Sequence, residues 1–239
     1  MKVELNHKQV IAQIEASPQG PGVGSFFDLD GTLIAGHTAR HMASDGMGDG
    51  GVGARDILRA LLLLLREGLN ESTFSELAEM GWGKLRDTRE EDLTNMGQKL
   101  FEAKILDLIY PEMRDIVKAH QRRGHTVVLS SSASSPQVEP VADHLGIRHV
   151  LCNRFVVKDG VLTGEVVRPI IWGAGKARAV QRFAIDRDID LKLSYFYADG
   201  NEELATMNLV GHPRPTNPGK RLAKVAQKRG WPSLRFNSR

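Results

Sequence analysis

Phe26-Phe27-Asp28-Leu29-Asp30-Gly31-Thr32 is the stretch on which the reading of this chain turns. An apolar pair ends a short strand, two aspartates one residue apart follow at once, and Gly-Thr turns the chain. Side chains alternate along extended backbone, so residues i and i+2 share a side. Both carboxylates therefore face one small space. Such a pair suits a divalent cation bound through oxygen, or divides the roles of nucleophile and general acid or base. An isolated Asp-x-Asp is most often a solvated turn, so the neighbouring elements carry the decision.

Working outward, Thr126–Leu129 is a short β-branched run that reads as a buried strand and ends in Ser130-Ser131-Ser132. Ser194–Ala198 reads as another, ending at Asp199. Helical patterns cover about Lys8–Glu15, Asp115–Arg123, Ser135–Leu145 and Gly175–Ile185. Arg148–Cys152 is a further strand, and Phe155–Val157 with Val161–Thr163 reads as a hairpin over an Asp-Gly turn. Asn217-Pro218 reads as the cap and first residue of a last helix. Alternating strands and helices imply an α/β protein with a parallel, Rossmann-like sheet covered on both faces. In such sheets ligands sit beyond the carboxyl ends of the strands. Asp28/Asp30, Ser130–Ser132 and Asp199 all lie at that edge.

Between the first and second of these strands the chain is helix-prone, with segments at Ala54–Glu67, Glu71–Met80 and Glu90–Leu108. That is too long for a loop. The expected organisation is a core of residues 1–35 and 109–239 with a helical cap of residues 36–108 inserted over the strand ends. The run Leu61–Leu65 makes one cap helix apolar all round, which fits burial in a small bundle or an apolar face offered to a substrate or membrane.

Four motifs in order resemble the haloacid dehalogenase superfamily of phosphotransferases, in its phosphoserine-phosphatase-like branch. They are Asp28-Leu29-Asp30-Gly31-Thr32, Val127-Val128-Leu129-Ser130-Ser131, Gly175-Lys176-Ala177 and Tyr197-Ala198-Asp199-Gly200-Asn201-Glu202-Glu203. The resemblance implies a Mg²⁺-dependent phosphomonoester hydrolase. Asp28 would attack phosphorus to form an aspartyl-phosphate, and Asp30 would protonate the leaving alkoxide and then activate water. Ser130 would hydrogen-bond the phosphoryl group, and Lys176 would offset its charge and that of the nucleophile. Thr32 and Ser131 are further phosphate-binding candidates. Mg²⁺ would sit on Asp28, the Asp30 carbonyl and Asp199, with Glu203 in an outer role. Two departures stand out. Glu203 occupies the place of an aspartate, and His37 that of the glutamate with which phosphoserine phosphatases hold the substrate's ammonium group. Imidazole is a poor partner for an ammonium ion, so a small or amphiphilic phosphomonoester other than phosphoserine is expected. Ile170-Ile171-Trp172-Gly173, Leu209–Pro218 and Arg229-Gly230-Trp231-Pro232 resemble the phosphatase-like domain of actinobacterial proteins fused to a 1-acylglycerol-3-phosphate acyltransferase. That adds an acyltransferase domain as an expected partner, and an idle docking domain as the alternative function.

Composition narrows the remaining classes. The 239 residues are 41% hydrophobic and 26% charged, with a net charge of +3. The sole cysteine, Cys152, excludes an internal disulfide and a cysteine-built zinc cluster, and a reducing cytoplasm is the expected compartment. Residues 220–239 hold seven Lys or Arg and no acid, leaving 25 bases and 29 acids before them. The basic surplus thus belongs to the tail. Without interleaved aromatics it does not suit nucleic acid. It reads as a terminal helix with Leu222, Val225 and Ala226 on one stripe, packed on the sheet or touching an anionic membrane. Gly46–Gly51 has the spacing of a dinucleotide loop but no preceding strand, and Gly173-Ala174-Gly175-Lys176 lacks the first glycine and the Ser/Thr of a P-loop. Oligomeric state is not legible.

Overall fold

The computed structural model describes residues 4–44 and 70–236. The expected helix Ala54–Glu67, its Leu61–Leu65 run and the Gly46–Gly51 stretch lie outside these residues.

Five parallel strands form the central sheet: β2 (Gly24–Phe27), β3 (Thr126–Ser134), β4 (His149–Asn153), β7 (Tyr195–Ala198) and β8 (His212–Pro215), in the order β4-β3-β2-β7-β8. Alternation sorts their side chains onto two faces. Phe27, Val127, Leu129, Tyr195 and Tyr197 join one apolar cluster with α1 (His7–Glu15) and α5 (Pro111–Arg122). Phe26, Val128, Phe196 and Ala198 join the other with α7 (Ala174–Asp186) and α9 (Lys220–Arg229). Both faces of the sheet are thus covered, which is why its strands read as continuous apolar runs. Each fully buried aromatic contributes on the order of 1.5–3 kcal/mol.

A two-stranded parallel pair, β1 (Glu4–Leu5) with β9 (Ser233–Leu234), ties the chain's ends together. The expected hairpin is present as β5 (Phe155–Lys158) and β6 (Val161–Val166), outside the main sheet. It docks against the segment between α3 (Glu71–Trp82) and α4 (Glu90–Leu100): Asp87 N–H donates to the Leu162 carbonyl at 3.0 Å, and Leu162 N–H to the Thr88 carbonyl at 2.9 Å. Trp82 meets Phe155 edge-on at 5.9 Å. The expected helix Glu90–Leu108 is helical in three pieces, α4, then a wider turn over Phe101–Ile105, then a tighter one over Leu106–Leu108.

Two expectations change, and one strand is new. β3 continues past Leu129 to Ser134, where α6 (Ser135–His144) starts. β8 is a strand despite two prolines. Asn217 caps no helix: its φ is +47°, and α9 begins at Lys220 behind Gly219. Leu222 and Ala226 are buried against the sheet, so the tail helix packs as expected of one apolar stripe. Cys152 is buried, which pushes its thiol up to about 12. Among the described residues no helix is long and apolar enough to cross a membrane.

Candidate active site

The carboxyl ends of β2, β3 and β7 converge. Asp28 follows β2 directly, and its N–H donates to the Tyr197 carbonyl at 2.9 Å, locking the residue to the end of β7. The chain then turns tightly, with Leu33 N–H on the Leu29 carbonyl at 2.9 Å and Gly31 N–H on the Gly36 carbonyl at 2.9 Å. Gly31 has φ +70°, and a Cβ there would run into the Asp199 carboxylate. The first-motif loop and the end of β7 thus approach more closely than any side chain at position 31 permits.

Lys176 sits in the first turn of α7, fully buried. Its ammonium donates to Asp28 Oδ1 at 2.9 Å and to Glu203 Oε1 at 2.6 Å. Burial opposes a charge on Lys176, but Asp28 and Glu203 more than offset it and hold the group above its ordinary value. Glu203, in the turn after β7, is buried too. Burial raises its carboxyl, with Lys176 pulling the other way. Glu203 is therefore a direct partner of the lysine, a contact compatible with the outer role expected of it.

Asp30 is less enclosed. Its two oxygens accept from Thr38, Oδ1 from the backbone N–H at 2.7 Å and Oδ2 from the hydroxyl at 3.2 Å. Burial raises its pKa; the Thr38 N–H lowers it, Asp28 raises it and His37 lowers it. His37 itself is exposed at the rim. Asp199 is pushed up to about 7, by burial first and then by the negative Asp28 and Glu202. Ser130 and Thr32 are fully buried, and the hydroxyls of both lack a hydrogen-bond partner, as does Glu203 Oε2. Buried polar atoms without a partner are costly unless a ligand or water meets them. Ser131 is committed locally, accepting from Ala133 N–H at 3.1 Å.

The structure thus gathers Asp28, Asp30, Thr32, Ser130, Lys176, Asp199 and Glu203 around the strand ends. Sequence reasoning missed the residues that brace them. Thr38 grips Asp30, and Gln137 Nε2 donates to the Thr38 hydroxyl at 3.0 Å. Gln137 also accepts from Ser134 N–H and hydroxyl, so the start of α6 is capped by its own side chain. Asn153 joins β3 to the loop before α7, donating to the Ser132 carbonyl at 2.7 Å and accepting from Ile171 N–H at 2.8 Å. Asn217 Nδ2 donates to the Gly31 carbonyl at 3.2 Å, and Gly219 N–H to the Asp199 carbonyl at 3.3 Å. Apart from Thr38, which opens helix α2 (Thr38–Ser44) beside the first motif, nothing local in the sequence marks these polar residues.

The donor set fits a hard cation. The Asp28 and Asp199 carboxylates and the Asp30 carbonyl would offer few oxygen ligands, which suits an ion that keeps waters and a substrate oxygen. Among the described residues no group of three or more His, Cys, Asp or Glu is arranged to hold a metal alone. Asp199 is raised by burial first and also by the negative Asp28 and Glu202, and that carboxylate repulsion is what a cation would relieve.

Comparison with known proteins agrees with this geometry. The model of the haloacid dehalogenase-like hydrolase family matches residues 25–205. The chain is 31% identical to the probable phosphatase Rv3661 of Mycobacterium tuberculosis, over 95% of this chain and 82% of that protein. It is 29% identical to phosphoserine phosphatase SerB1 of the same organism, over 87% and 68%. A substrate-bound phosphoserine phosphatase structure superposes with a TM-score of 0.64 at 20% identity, covering 90% of this chain and 93% of that one, and so shares the fold. The chain belongs to the haloacid dehalogenase-like hydrolases and is a phosphatase of that family.

Proposed function

We propose that the protein hydrolyses a phosphomonoester through an aspartyl-phosphate on Asp28, with Mg²⁺ held by Asp28, Asp199 and the Asp30 carbonyl. The observation that carries this reading is the fully buried Lys176, bonded at once to Asp28 and Glu203. A lysine so held is a fixed positive charge at the nucleophile, which an idle domain has no need to maintain. When bound, the cation would supply charge neutralisation for an anionic nucleophile approaching an anionic ester.

The residues divide the work. Asp28 attacks phosphorus in line with the leaving alkoxide, its oxygen oriented by Lys176 and its backbone by the Tyr197 carbonyl. Asp30, raised by burial, delivers a proton to the departing oxygen. The resulting carboxylate then takes a proton from water as it attacks the acyl phosphate, returning Asp28 and releasing phosphate. Thr38 holds Asp30 in place through both steps. In this reading the partnerless hydroxyls of Ser130 and Thr32 would turn to the phosphoryl oxygens as substrate enters.

The substrate class follows from the rim. His37, exposed beside Asp30, offers no carboxylate to an ammonium group. Trp172, whose carbonyl accepts from Lys176 N–H, stacks on Phe74 of α3 at 5.3 Å and lends apolar surface near the entrance. A phosphomonoester without an ammonium group, small or amphiphilic, is the proposed substrate. Steady-state kinetics with Mg²⁺ on phosphoserine, glycerol 3-phosphate and lysophosphatidate test this. The expected result is a lower kcat/KM for phosphoserine than for at least one of the others; phosphoserine as the best of the three would overturn the specificity.

A further inference from the structure

At the other end of the sheet, where β7 and β8 begin, a groove of about 940 Å³ opens between the end of α1, the start of β8 and the turn after α9. Its size lies at the upper end of small-molecule sites. Tyr195 and Trp231 supply aromatic surface; His212, Arg214 and Arg229 supply positive or titratable groups, and no Asp or Glu lines it.

Arg214 is the unusual member. It is only 5% exposed, yet among the described residues no carboxylate lies within ion-pair distance. Its Nη1 donates to the Pro213 carbonyl at 3.2 Å, its Nη2 to Gln13 Oε1 at 2.9 Å, and its Nε has no partner. The guanidinium lies over the Tyr195 ring at 5.4 Å. Buried guanidinium groups are normally matched by a carboxylate or phosphate, because desolvating an uncompensated charge is expensive. Here the partner at the groove is a neutral amide on an exposed residue, which an incoming anion can displace. Arg229, lying over Trp231 at 4.9 Å, adds a second cation at the mouth. His212, stacked on Tyr195 at 4.5 Å, is held below its ordinary value by burial and by Arg214, in keeping with a surplus of positive charge.

We propose that this groove is a second ligand site, separate from the catalytic one, for a small organic anion. Its carboxylate or phosphate meets Arg214, and its flat apolar part lies against Trp231. The site is independent of the substrate reading given above, since no catalytic residue lines it.

Benzoate and phenylphosphonate serve as probes, with benzamide as the neutral shape control. The readouts are thermal midpoint and the emission of Trp231 in a Trp82→Phe/Trp172→Phe background, which reports on this groove and not on the active site. Saturable quenching with a raised midpoint is expected from at least one of the anions and not from benzamide; the tighter anion identifies the head group. Gln13→Glu, an exposed position, supplies Arg214 with a carboxylate of its own. It should raise the midpoint without ligand and weaken the anion about tenfold or more. The proposal fails if neither anion gives a saturable response, if benzamide matches them, or if Gln13→Glu binds the anion undiminished.

Discussion

The ammonium of Lys176 lies 2.9 Å from Asp28 Oδ1 while also holding Glu203 at 2.6 Å, with all three residues buried. One positive charge thus serves two carboxylates. Removing it leaves uncompensated buried charge, so Lys176→Met should cost about 3–5 kcal/mol of stability and abolish turnover. Adding Glu203→Gln to Lys176→Met should restore part of the stability and none of the activity. Chemical denaturation of both variants checks this; no recovery in the double variant would mean that Glu203 stays protonated and makes no charge interaction with the lysine.

Gly31 answers a different question, whether the close approach to Asp199 is functional. In Gly31→Ala the new Cβ meets the Asp199 carboxylate and the backbone must hold φ +70°. The expected result is a fall in kcat/KM of about a hundredfold, the scale of an ångström-sized misplacement, with weakened Mg²⁺ dependence and a native circular dichroism spectrum. Unchanged kinetics would show that Asp199 moves freely.

A pH effect follows from the buried histidines beneath the nucleophile. His125 Nε2 lies 2.8 Å from the Pro18 carbonyl and must donate to it; with both buried rings neutral, its Nδ1 accepts from His120 Nδ1 at 2.8 Å, and His120 Nε2 accepts from the Tyr197 hydroxyl at 2.9 Å. Both imidazoles are neutral in this arrangement. Burial lowers His120 well below its ordinary value, as does the cost of charging it beside His125 and Arg214; burial also lowers His125, with the Pro18 carbonyl pulling the other way and Arg123 adding to the fall. The unfolded chain therefore binds more protons than the folded one, and this stabilisation is complete above about 6.5 and lost as pH falls towards the folded values. Relative to His125→Gln, the wild type should lose advantage below pH 6.5, by at most about 1.4 kcal/mol per pH unit. The difference between the two proteins is the quantity to measure by denaturation, because Asp199 and Glu203, both raised, act in the opposite direction and cancel in it. A pH-independent difference would contradict the neutral pair.

The sequence made the strand ends legible because each β2, β3 and β7 run is apolar on both faces and stops at a chemically distinctive residue. β8 escaped notice because prolines at 213 and 215 argue against a strand. As an edge strand it spends the N–H groups of His212 and Thr216 on β7, to the Ser194 and Ala198 carbonyls, while the alternate proline positions need no donor. Asn217 was misread because Asn-Pro is a helix-start signal. Its left-handed backbone and its contacts to Gly31 and Phe236 depend on segments 186 and 19 residues away. The same holds for Asn153 and Gln137. Their residue types are ordinary, and only the fold shows what each holds.

The most direct test of the central claim is the identity of the covalent intermediate. Protein turning over a phosphomonoester with Mg²⁺, as wild type and as Asp30→Asn to slow breakdown of the acyl phosphate, is quenched in acid, reduced with borohydride and mapped by peptide mass analysis. Reduction converts an aspartyl-phosphate to homoserine. The account predicts homoserine at position 28, more abundant in Asp30→Asn, and none in Asp28→Asn. Homoserine at another aspartate, or undiminished phosphate release by folded Asp28→Asn protein, would contradict it.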